Sequence, residues 1–91
     1  MGYDDRMHAM YAAQNDVTKE LYIGYTSDLK ARLTTHNGKG DKYTTRHQGK
    51  WHYVYVEFFR NEEDAKERER KLKAHGSAKQ KLLLRIRKSL L

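Results

Sequence analysis

The sequence predicts an α+β fold: a small three-stranded, mostly antiparallel sheet flanked by helices, in the element order ββαβαα. A run rich in aromatic residues and valine, from Trp51 to Phe59, is typical of a β-strand. Two shorter apolar runs lie on either side of the turn signal Gln14-Asn15-Asp16, which indicates a hairpin. Three further segments repeat apolar residues at helical spacing, and each follows residues that favour a helix start.

The two hairpin strands are predicted over residues 7–13 and 19–25. Alanine is a poor strand former and is frequent in the first run, whereas the second run alternates aromatic and aliphatic residues. The loop between them is longer than the tightest hairpin turn. We expect a single domain over residues 1–91, in which residues 1–6 form a flexible tail.

The first helix is predicted from about Asp28 to Asn37. Short side chains whose oxygens can accept first-turn N–H groups lie at its start, namely Thr26, Ser27 and Asp28. The pair Asn37-Gly38 is a helix C-terminal signal because both residue types tolerate the left-handed conformation. Leu29 and Leu33 are four residues apart, and we expect both to pack inward.

Arg32 and His36 are also four residues apart, so they are neighbours on one flank of this helix. A tyrosine leaving the second strand, the Arg32 guanidinium and the His36 imidazole can therefore meet at one place. A strand, a turn and a helix carrying these groups look like the start of a phosphodiester-cleaving site.

A basic, glycine-punctuated loop connects this helix to the third strand, from Gly38 to Lys50. It is either a mobile connector or a phosphate-facing loop, and the pattern favours neither interpretation over the other. In the second interpretation its basic and aromatic side chains contact nucleic acid. The residues concerned are Lys39, Lys42, Tyr43, Arg46 and Lys50.

The second and third helices are each predicted to begin with a capping box. Asn61 caps the second helix, with Asp64 as its return partner, and that helix runs to about Ala74. The third helix begins at Ser77, with Gln80 three residues later. Its outer face is basic, and its buried stripe is predicted to contain Leu83, Ile86 and Leu90, with Leu82 beside it.

One carboxylate of the second helix lies on the face that should be buried. Ala65 and Leu72 mark the inward stripe, and Glu69 is only about 40° from Ala65 at ~100° per residue. A carboxylate there costs several kcal/mol unless a cation or hydrogen-bond donors meet it. Glu69 is therefore either half of an internal salt bridge, to Arg32, Arg68 or another base, or a ligand of a divalent metal. A lone carboxylate suits Mg²⁺, which keeps several waters and also binds substrate phosphate.

Size and composition exclude several classes of protein. At 91 residues the core is thin, which disfavours a deeply buried cofactor pocket. The absence of cysteine excludes disulfides, thiolate zinc sites and cysteine nucleophiles. No apolar run approaches a membrane span, and the N-terminus lacks the apolar stretch of a signal peptide. We expect an intracellular protein with no membrane partner, in the cytoplasm or at the nucleoid, or nuclear in a eukaryote.

The charge balance indicates a polyanionic partner. Lysine and arginine number 19 against 12 aspartate and glutamate residues, giving a net charge of +7. Such a surface either simply keeps the protein soluble or binds a polyanion, most often nucleic acid. The seven tyrosines, one tryptophan and two phenylalanines are interleaved with the basic residues. Their rings can stack on bases, although most are needed to fill the small core.

Taken together, these residues resemble the GIY-YIG nuclease family. Tyr22-Ile23-Gly24 matches the second half of the motif, and Ala9-Met10-Tyr11 keeps only the tyrosine of the first half. The spacings from Tyr11 to Tyr22, from Tyr22 to Arg32 and from Arg32 to His36 also match. Glu69 corresponds to the glutamate of the family's following helix, and the likeness covers roughly residues 8 to 85.

The resemblance implies a role for each of these residues. Glu69 would hold one divalent ion, Mg²⁺ or Mn²⁺, and Arg32 would bind the scissile phosphate and stabilise the charge of the transition state. Tyr11 and Tyr22 would lie near the attacking water or the metal-bound phosphate; one of them could act as general base, and the resemblance does not fix which group does. A phenol needs a cationic neighbourhood for that task, which Arg32, His36 and the metal would supply. His36 would orient a tyrosine or relay the proton.

Three functional hypotheses follow. The first is a metal-dependent DNA endonuclease that is structure-selective or weakly nonspecific, acting on branched or nicked DNA in repair or recombination. The second is a non-catalytic nucleic-acid-binding module of the same fold. The third is a protein-interaction domain with incidental charge, and a protein partner or homodimer is left open. In the last two cases the singled-out side chains are structural: core tyrosines, a surface arginine and a helix-capping histidine.

Overall fold

The computed structural model describes residues 7–38, 49–74 and 76–91. The elements are β1 (His8–Asn15), β2 (Leu21–Thr26), α1 (Leu29–His36), β3 (Trp51–Phe59), α2 (Glu62–Lys73) and α3 (Ser77–Arg85), followed by a 3₁₀ turn, Arg87–Ser89. The predicted α+β class and ββαβαα order are confirmed. The predicted N-terminal tail and four of the proposed nucleic-acid contacts lie outside the described residues; the four are Lys39, Lys42, Tyr43 and Arg46.

The sheet has the strand order β2-β1-β3, and β1 pairs antiparallel with both neighbours. This central position explains the alanines of β1. Residues 9–13 are at most 2% exposed, because helices and side chains cover both faces of the strand. Small side chains let those layers approach closely, so burial overrides the weak strand propensity of alanine.

The hairpin turn has the predicted length of five residues but lies two residues later in the chain, because β1 continues to Asn15 and β2 begins at Leu21. The Asn15 side chain sets this boundary, since its Oδ1 accepts hydrogen bonds from the N–H groups of Val17 and Thr18, both at 2.9 Å. Lys19 then reverses the chain at a φ of 64°. Asn15, which the sequence pattern assigned to the turn, is therefore the last residue of β1, and its side chain stabilises the turn that follows.

One face of the sheet packs against α2 and α3. The buried side chains of this core come from β1, β2 and the two helices: Met10, Ala12, Ile23, Leu72, Leu82 and Ile86. The predicted stripe of α3 is confirmed at Leu82, Ile86 and Leu90, whereas Leu83 is only partly buried. The inward positions Ala78, Leu82 and Ile86 recur every four residues, and Leu90 packs against the core from beyond the helix end.

The helix starts follow the predicted residues but not the predicted boxes. Asp28 caps α1 by accepting a hydrogen bond from the Ala31 N–H at 3.0 Å. Asn61 caps α2 by accepting from the N–H groups of Glu63 and Asp64. In the described part of the chain Asp64 makes no return bond, and α3 has Gly76 at its N-cap with no side-chain cap. Ser77 is instead the first residue of α3.

The other face of the sheet is covered by α1, none of whose residues is fully buried. Leu29 and Leu33 are only partly buried, so the expected inward packing is incomplete. Polar contacts hold the helix in addition. The Tyr53 hydroxyl donates to the Leu29 carbonyl at 2.6 Å, and the Asn37 side chain bonds to both backbone groups of Trp51. No helix in the described ranges is long and apolar enough to cross a bilayer.

Gly24 offers a direct test of how tightly this face is packed. A Cβ at Gly24 would lie 2.5 Å from the Tyr11 hydroxyl oxygen, and the Tyr11 ring is fully buried and cannot easily move. We predict that Gly24→Ala lowers the free energy of unfolding by about 1–3 kcal/mol, the usual range for overpacking. The measurement is urea unfolding followed by circular dichroism.

Gly76→Ala is the matched control for this substitution, because a Cβ at Gly76 meets nothing within 4 Å. We expect a change within about 1 kcal/mol, since alanine restricts the unfolded chain but is a poorer N-cap residue than glycine. Equal stability of the two variants would contradict close packing of Tyr11 over Gly24.

Candidate active site

The phenol oxygen of Tyr11 is the meeting point of the candidate site. Tyr11 lies in the central strand opposite Gly24, and the missing side chain of Gly24 leaves room for the ring to cross the neighbouring strand. Arg32 Nε donates a hydrogen bond to the Tyr11 oxygen at 2.9 Å, and His36 Nε2 lies 2.8 Å from the same oxygen. The i,i+4 pair of α1 thus converges on one side chain of β1.

Arg32 also joins the second tyrosine to this network. Its Nη2 donates to the Tyr22 hydroxyl at 3.3 Å. The Tyr11 and Tyr22 rings are stacked with centroids 6.1 Å apart, and the Tyr22 and His36 rings meet edge to face at 4.8 Å. A guanidinium has more N–H groups than these two contacts use. Among the described residues no carboxylate lies within ion-pair distance of Arg32, so its remaining N–H groups are free to meet an anion.

The protonation states follow from burial and from the Arg32 charge. Burial raises the pKa of Tyr11 above its ordinary value of 10.0, and the hydrogen bond from Arg32 only partly opposes it. Burial and the nearby Arg32 charge lower the pKa of His36 below 6.5. At neutral pH the pair is therefore a phenol and a neutral imidazole. His36 adds no positive charge beside the phenols, in contrast to what the family resemblance implies.

This pairing sets the direction of the hydrogen bond between the two residues. The Tyr11 oxygen accepts from Arg32, so its own proton is available to the neutral imidazole. The arrangement fits a His36 that accepts at Nε2 and carries its proton on Nδ1. A proton can therefore pass from the Tyr11 hydroxyl to His36 without any rearrangement of the two side chains.

Glu69 reaches the same region from α2. Its side chain is 21% exposed, and its Oε2 forms an ion pair with Lys73 Nζ at 2.9 Å. Lys73 Nζ also lies 5.3 Å from the centroid of the Tyr22 ring, within cation–π range. Glu69 is close enough to Tyr11 to contribute to the increase in its pKa. Glu69 is thus linked to Tyr22 through Lys73, and its charge acts on Tyr11.

The salt-bridge partner of Glu69 is neither Arg32 nor Arg68, the two bases named from the sequence. Arg32 faces the tyrosines, and Arg68 forms a bidentate pair with Glu57, with two N–H···O contacts at 3.0 Å. The partner is Lys73, one helical turn after Glu69. Spacing on α2 could have identified it, because glutamate followed by lysine four residues later is the favoured helical ion pair.

The described residues offer few ligands for a divalent metal ion. In the described ranges no group of three or more histidine, cysteine, aspartate or glutamate residues could enclose an ion. Glu69 alone offers one largely buried carboxylate, so most ligands of an ion there would be water and substrate phosphate. That environment suits Mg²⁺ or Mn²⁺ rather than zinc. The ion would also have to compete with the Lys73 ammonium.

Two aromatic residues of β3 complete the site, and sequence patterning gave them no role beyond the strand. The Tyr53 ring meets the Tyr11 ring edge to face with centroids 5.2 Å apart, and the Trp51 ring lies 5.7 Å from the His36 ring. They are two residues apart and therefore share a face of the sheet. Lys50, the remaining proposed nucleic-acid contact, is exposed just before this strand.

Comparison with known proteins shows which family the chain resembles. The family model described as the GIY-YIG catalytic domain matches residues 7–82. A UPF0213 protein of Streptococcus pyogenes serotype M3 is 48% identical over 67 residues, which cover 72% of each chain. A UPF0213 protein of S. pyogenes serotype M5 (strain Manfredo) is 48% identical over 65 residues, 70% of each chain.

A solved structure agrees with this result. The solution NMR structure of the UPF0213 protein BH0048 from Bacillus halodurans superposes with a TM-score of 0.53 and 31% sequence identity. The match covers 88% of this chain and 84% of the other. Because the family model spans nearly all of the described residues and the related structure shares the fold, the chain belongs to the GIY-YIG family of nuclease domains, whose substrates are nucleic acids.

Proposed function

We propose that this protein is a metal-dependent DNA endonuclease that hydrolyses phosphodiester bonds. The observation that carries the proposal is the position of Arg32, which hydrogen-bonds both phenol oxygens and has no carboxylate partner in the described part of the chain. A guanidinium fixed in this way is ready to bind a phosphate with its remaining N–H groups. Such preorganised donors stabilise the charge that develops on a phosphate under attack.

The Tyr11–His36 pair supplies the proton acceptor in this proposal. A water that attacks phosphorus must lose a proton, and the phenol of Tyr11 can accept it only after losing its own. His36 Nε2, 2.8 Å away and neutral, takes the Tyr11 proton while Arg32 stabilises the phenolate. Because Tyr11 is fully buried in the free protein, this step requires that substrate binding admits the water to its oxygen. Tyr11 then accepts the proton of water, and His36 holds the first proton until solvent removes it.

Glu69 is the residue that would hold the divalent ion. When bound, Mg²⁺ or Mn²⁺ would act as a Lewis acid and offset negative charge on the phosphate. Lys73 keeps the Glu69 carboxylate in place in the free protein and would have to release it. Tyr22 holds the outer end of Arg32 through its hydroxyl and lies under the Lys73 ammonium. It therefore aligns the two charged groups of the site.

The expected substrate is DNA recognised by shape, such as branched or nicked duplexes in repair or recombination. A chain of 91 residues has little surface for reading base edges, whereas a net charge of +7 favours contact with phosphates. Phosphate contacts position a protein but carry no sequence information. Weak, structure-selective nicking is therefore the activity that this composition favours.

A non-catalytic nucleic-acid-binding module of the same fold is the alternative. The observation that favours it is the ion pair between Glu69 and Lys73, which occupies the carboxylate proposed to hold the metal. The predictions below separate the two, because they test cleavage and metal binding independently.

The first prediction concerns plasmid nicking. Arg32→Ala and Glu69→Ala should each lower the Mg²⁺- or Mn²⁺-dependent nicking rate by about 100-fold or more, the usual cost of removing a transition-state donor. Arg60→Ala and Glu63→Ala remove the same charges from exposed positions and should keep the rate within about threefold. Salt-dependent DNA binding by the wild-type protein without nicking in either metal would favour the binding module.

The second prediction concerns pH. The pKa of His36 is lowered in the folded protein, so near pH 6 the unfolded chain binds a proton that the native site refuses. The free energy of unfolding should therefore rise with pH up to about 6.5, the ordinary histidine value, and fall on acidification below it. His36→Gln should flatten this part of the curve in urea titrations from pH 4.5 to 8. An unchanged slope in the variant would show that His36 is not the group responsible.

The third prediction concerns the ion pair between Lys73 and Glu69. Lys73→Met should strengthen Mn²⁺ binding, because it frees the carboxylate. A tenfold gain in affinity adds about 1.4 kcal/mol of stability at saturating metal, or roughly 5–10 °C in Tm. Thermal melts with and without Mn²⁺ measure the difference.

Lys66→Met is the matched control, since Lys66 makes the same pair of contacts one heptad earlier on α2. It pairs with Glu62 at 3.6 Å and lies 5.4 Å from the Tyr25 ring centroid. The Mn²⁺ response of Lys66→Met should equal that of the wild type. A larger response in this variant than in Lys73→Met would place the metal at the wrong carboxylate for the proposal.

A further inference from the structure

A second group of cationic side chains surrounds an open cavity of about 420 Å³ between β3, α2 and α3, here called the α2–α3 cavity. Its polar lining includes Glu57, Arg68, Ser77, Lys81 and Arg85, none of which belongs to the candidate active site. The cavity lies on the opposite face of the sheet from Tyr11. Glu57 pairs in register with Met10, the neighbour of Tyr11, and successive side chains of a strand point to opposite faces.

The single carboxylate of the α2–α3 cavity is already fully engaged. Glu57 receives two hydrogen bonds at 3.0 Å from Arg68 and a third at 2.7 Å from the Tyr55 hydroxyl. Burial alone would raise the pKa of Glu57, but these hydrogen bonds outweigh burial and lower it. Arg68 is thus bonded at one wall, and Glu57, which also attracts Arg85 through space, offsets only part of the remaining positive charge.

Lys81 and Arg85 line the facing wall without such partners. Together with Ser77 they recur every four residues, so the three side chains form one stripe on α3. In the described part of the chain no carboxylate lies within ion-pair distance of Lys81 or Arg85. From Ser77 to the last residue the sequence contains no acidic side chain at all. Three cations therefore face one cavity with one carboxylate, and they repel one another.

We propose that the α2–α3 cavity binds a phosphate group. Lys81 and Arg85 contact its oxygens, the Ser77 hydroxyl donates a hydrogen bond, and Arg68 contributes positive charge from the opposite wall. An anion at this place relieves the repulsion between the three cations, and charge-assisted hydrogen bonds to phosphate oxygens are among the stronger ones in proteins. The phosphate belongs either to a nucleic-acid backbone or to a free phosphorylated molecule. The proposal does not depend on cleavage at the Tyr11 site.

The first arm of the test uses inorganic phosphate. Amide chemical shifts of the ¹⁵N-labelled full chain are followed during titration with phosphate, with sodium chloride at matched ionic strength as the blank. Saturable shifts are expected at residues 77, 81 and 85. They should disappear in Lys81→Gln/Arg85→Gln and persist in Arg87→Gln/Lys88→Gln, which removes the same charge from exposed positions outside the cavity.

The second arm identifies the source of the phosphate. Fluorescence anisotropy with a short DNA duplex is measured over a salt series in EDTA, so that cleavage plays no part. If the site holds a backbone phosphate, Lys81→Gln/Arg85→Gln should weaken binding about tenfold more than the control pair and reduce the salt slope by about one. Saturable phosphate shifts with equal DNA affinity in the two double variants would assign the site to a free phosphorylated molecule.

The proposal is overturned if phosphate produces no saturable shifts at the cavity, or if the control pair abolishes them equally. A loss of folding in the cavity double variant would be visible in the same spectra. In that case Lys81→Gln alone, at an exposed position with no ion pair in the described structure, serves as the variant, and the expected result is a weaker phosphate midpoint.

Discussion

The site depends on the close packing of the Tyr11 hydroxyl over Gly24, where a side chain would leave no room for it. The central strand carries a tyrosine whose ring is fully buried, and the ring lies where a side chain at position 24 of the neighbouring strand would otherwise be. Arg32 and His36 then meet that oxygen from one flank of α1. Fold and site are therefore coupled, since the packing that stabilises the sheet also fixes the polar groups.

The site contains two separate charged groups: Arg32, and the ion pair of Glu69 and Lys73. Arg32 lies over the two phenols with no carboxylate partner in the described ranges, whereas Glu69 is held by Lys73 at the edge of the same region. Glu69 contributes to the raised pKa of Tyr11, and Arg32 opposes that effect. A cation that replaced Lys73 at Glu69 would shift this balance toward ionisation of Tyr11. The state of Glu69 thus bears on the basicity of a side chain from another element.

Sequence patterns identified the elements well where burial and propensity agree. The bounds of β3 were predicted to the residue, because aromatic and β-branched residues fill its whole length. In α3 the core residues Ile86 and Leu82 were predicted, but Leu83 was also assigned to the buried stripe, because three successive leucines leave the buried face ambiguous without the partner surface. The extent of β1 was underestimated, because the Asn15 side chain bonds to the following turn and ends the strand there.

The candidate site was predictable as a set of residues but not as a network. Spacing on α1 brought Arg32 and His36 together, and the family resemblance added Tyr11, Tyr22 and Glu69. Neither the spacing nor the resemblance could show that both phenols share one guanidinium or that burial keeps His36 neutral. These features depend on distances between elements remote in sequence, as do the contacts of Trp51 and Tyr53.

The most direct test of the account is anomalous diffraction from a crystal of the protein with Mn²⁺ and a DNA strand whose scissile phosphate resists hydrolysis. We expect one manganese peak beside the Glu69 carboxylate, with the Lys73 ammonium withdrawn and Arg32 bound to the phosphate that also contacts the metal. A phosphate bound at Arg32 with Lys73 still on Glu69 and no manganese peak there would contradict it.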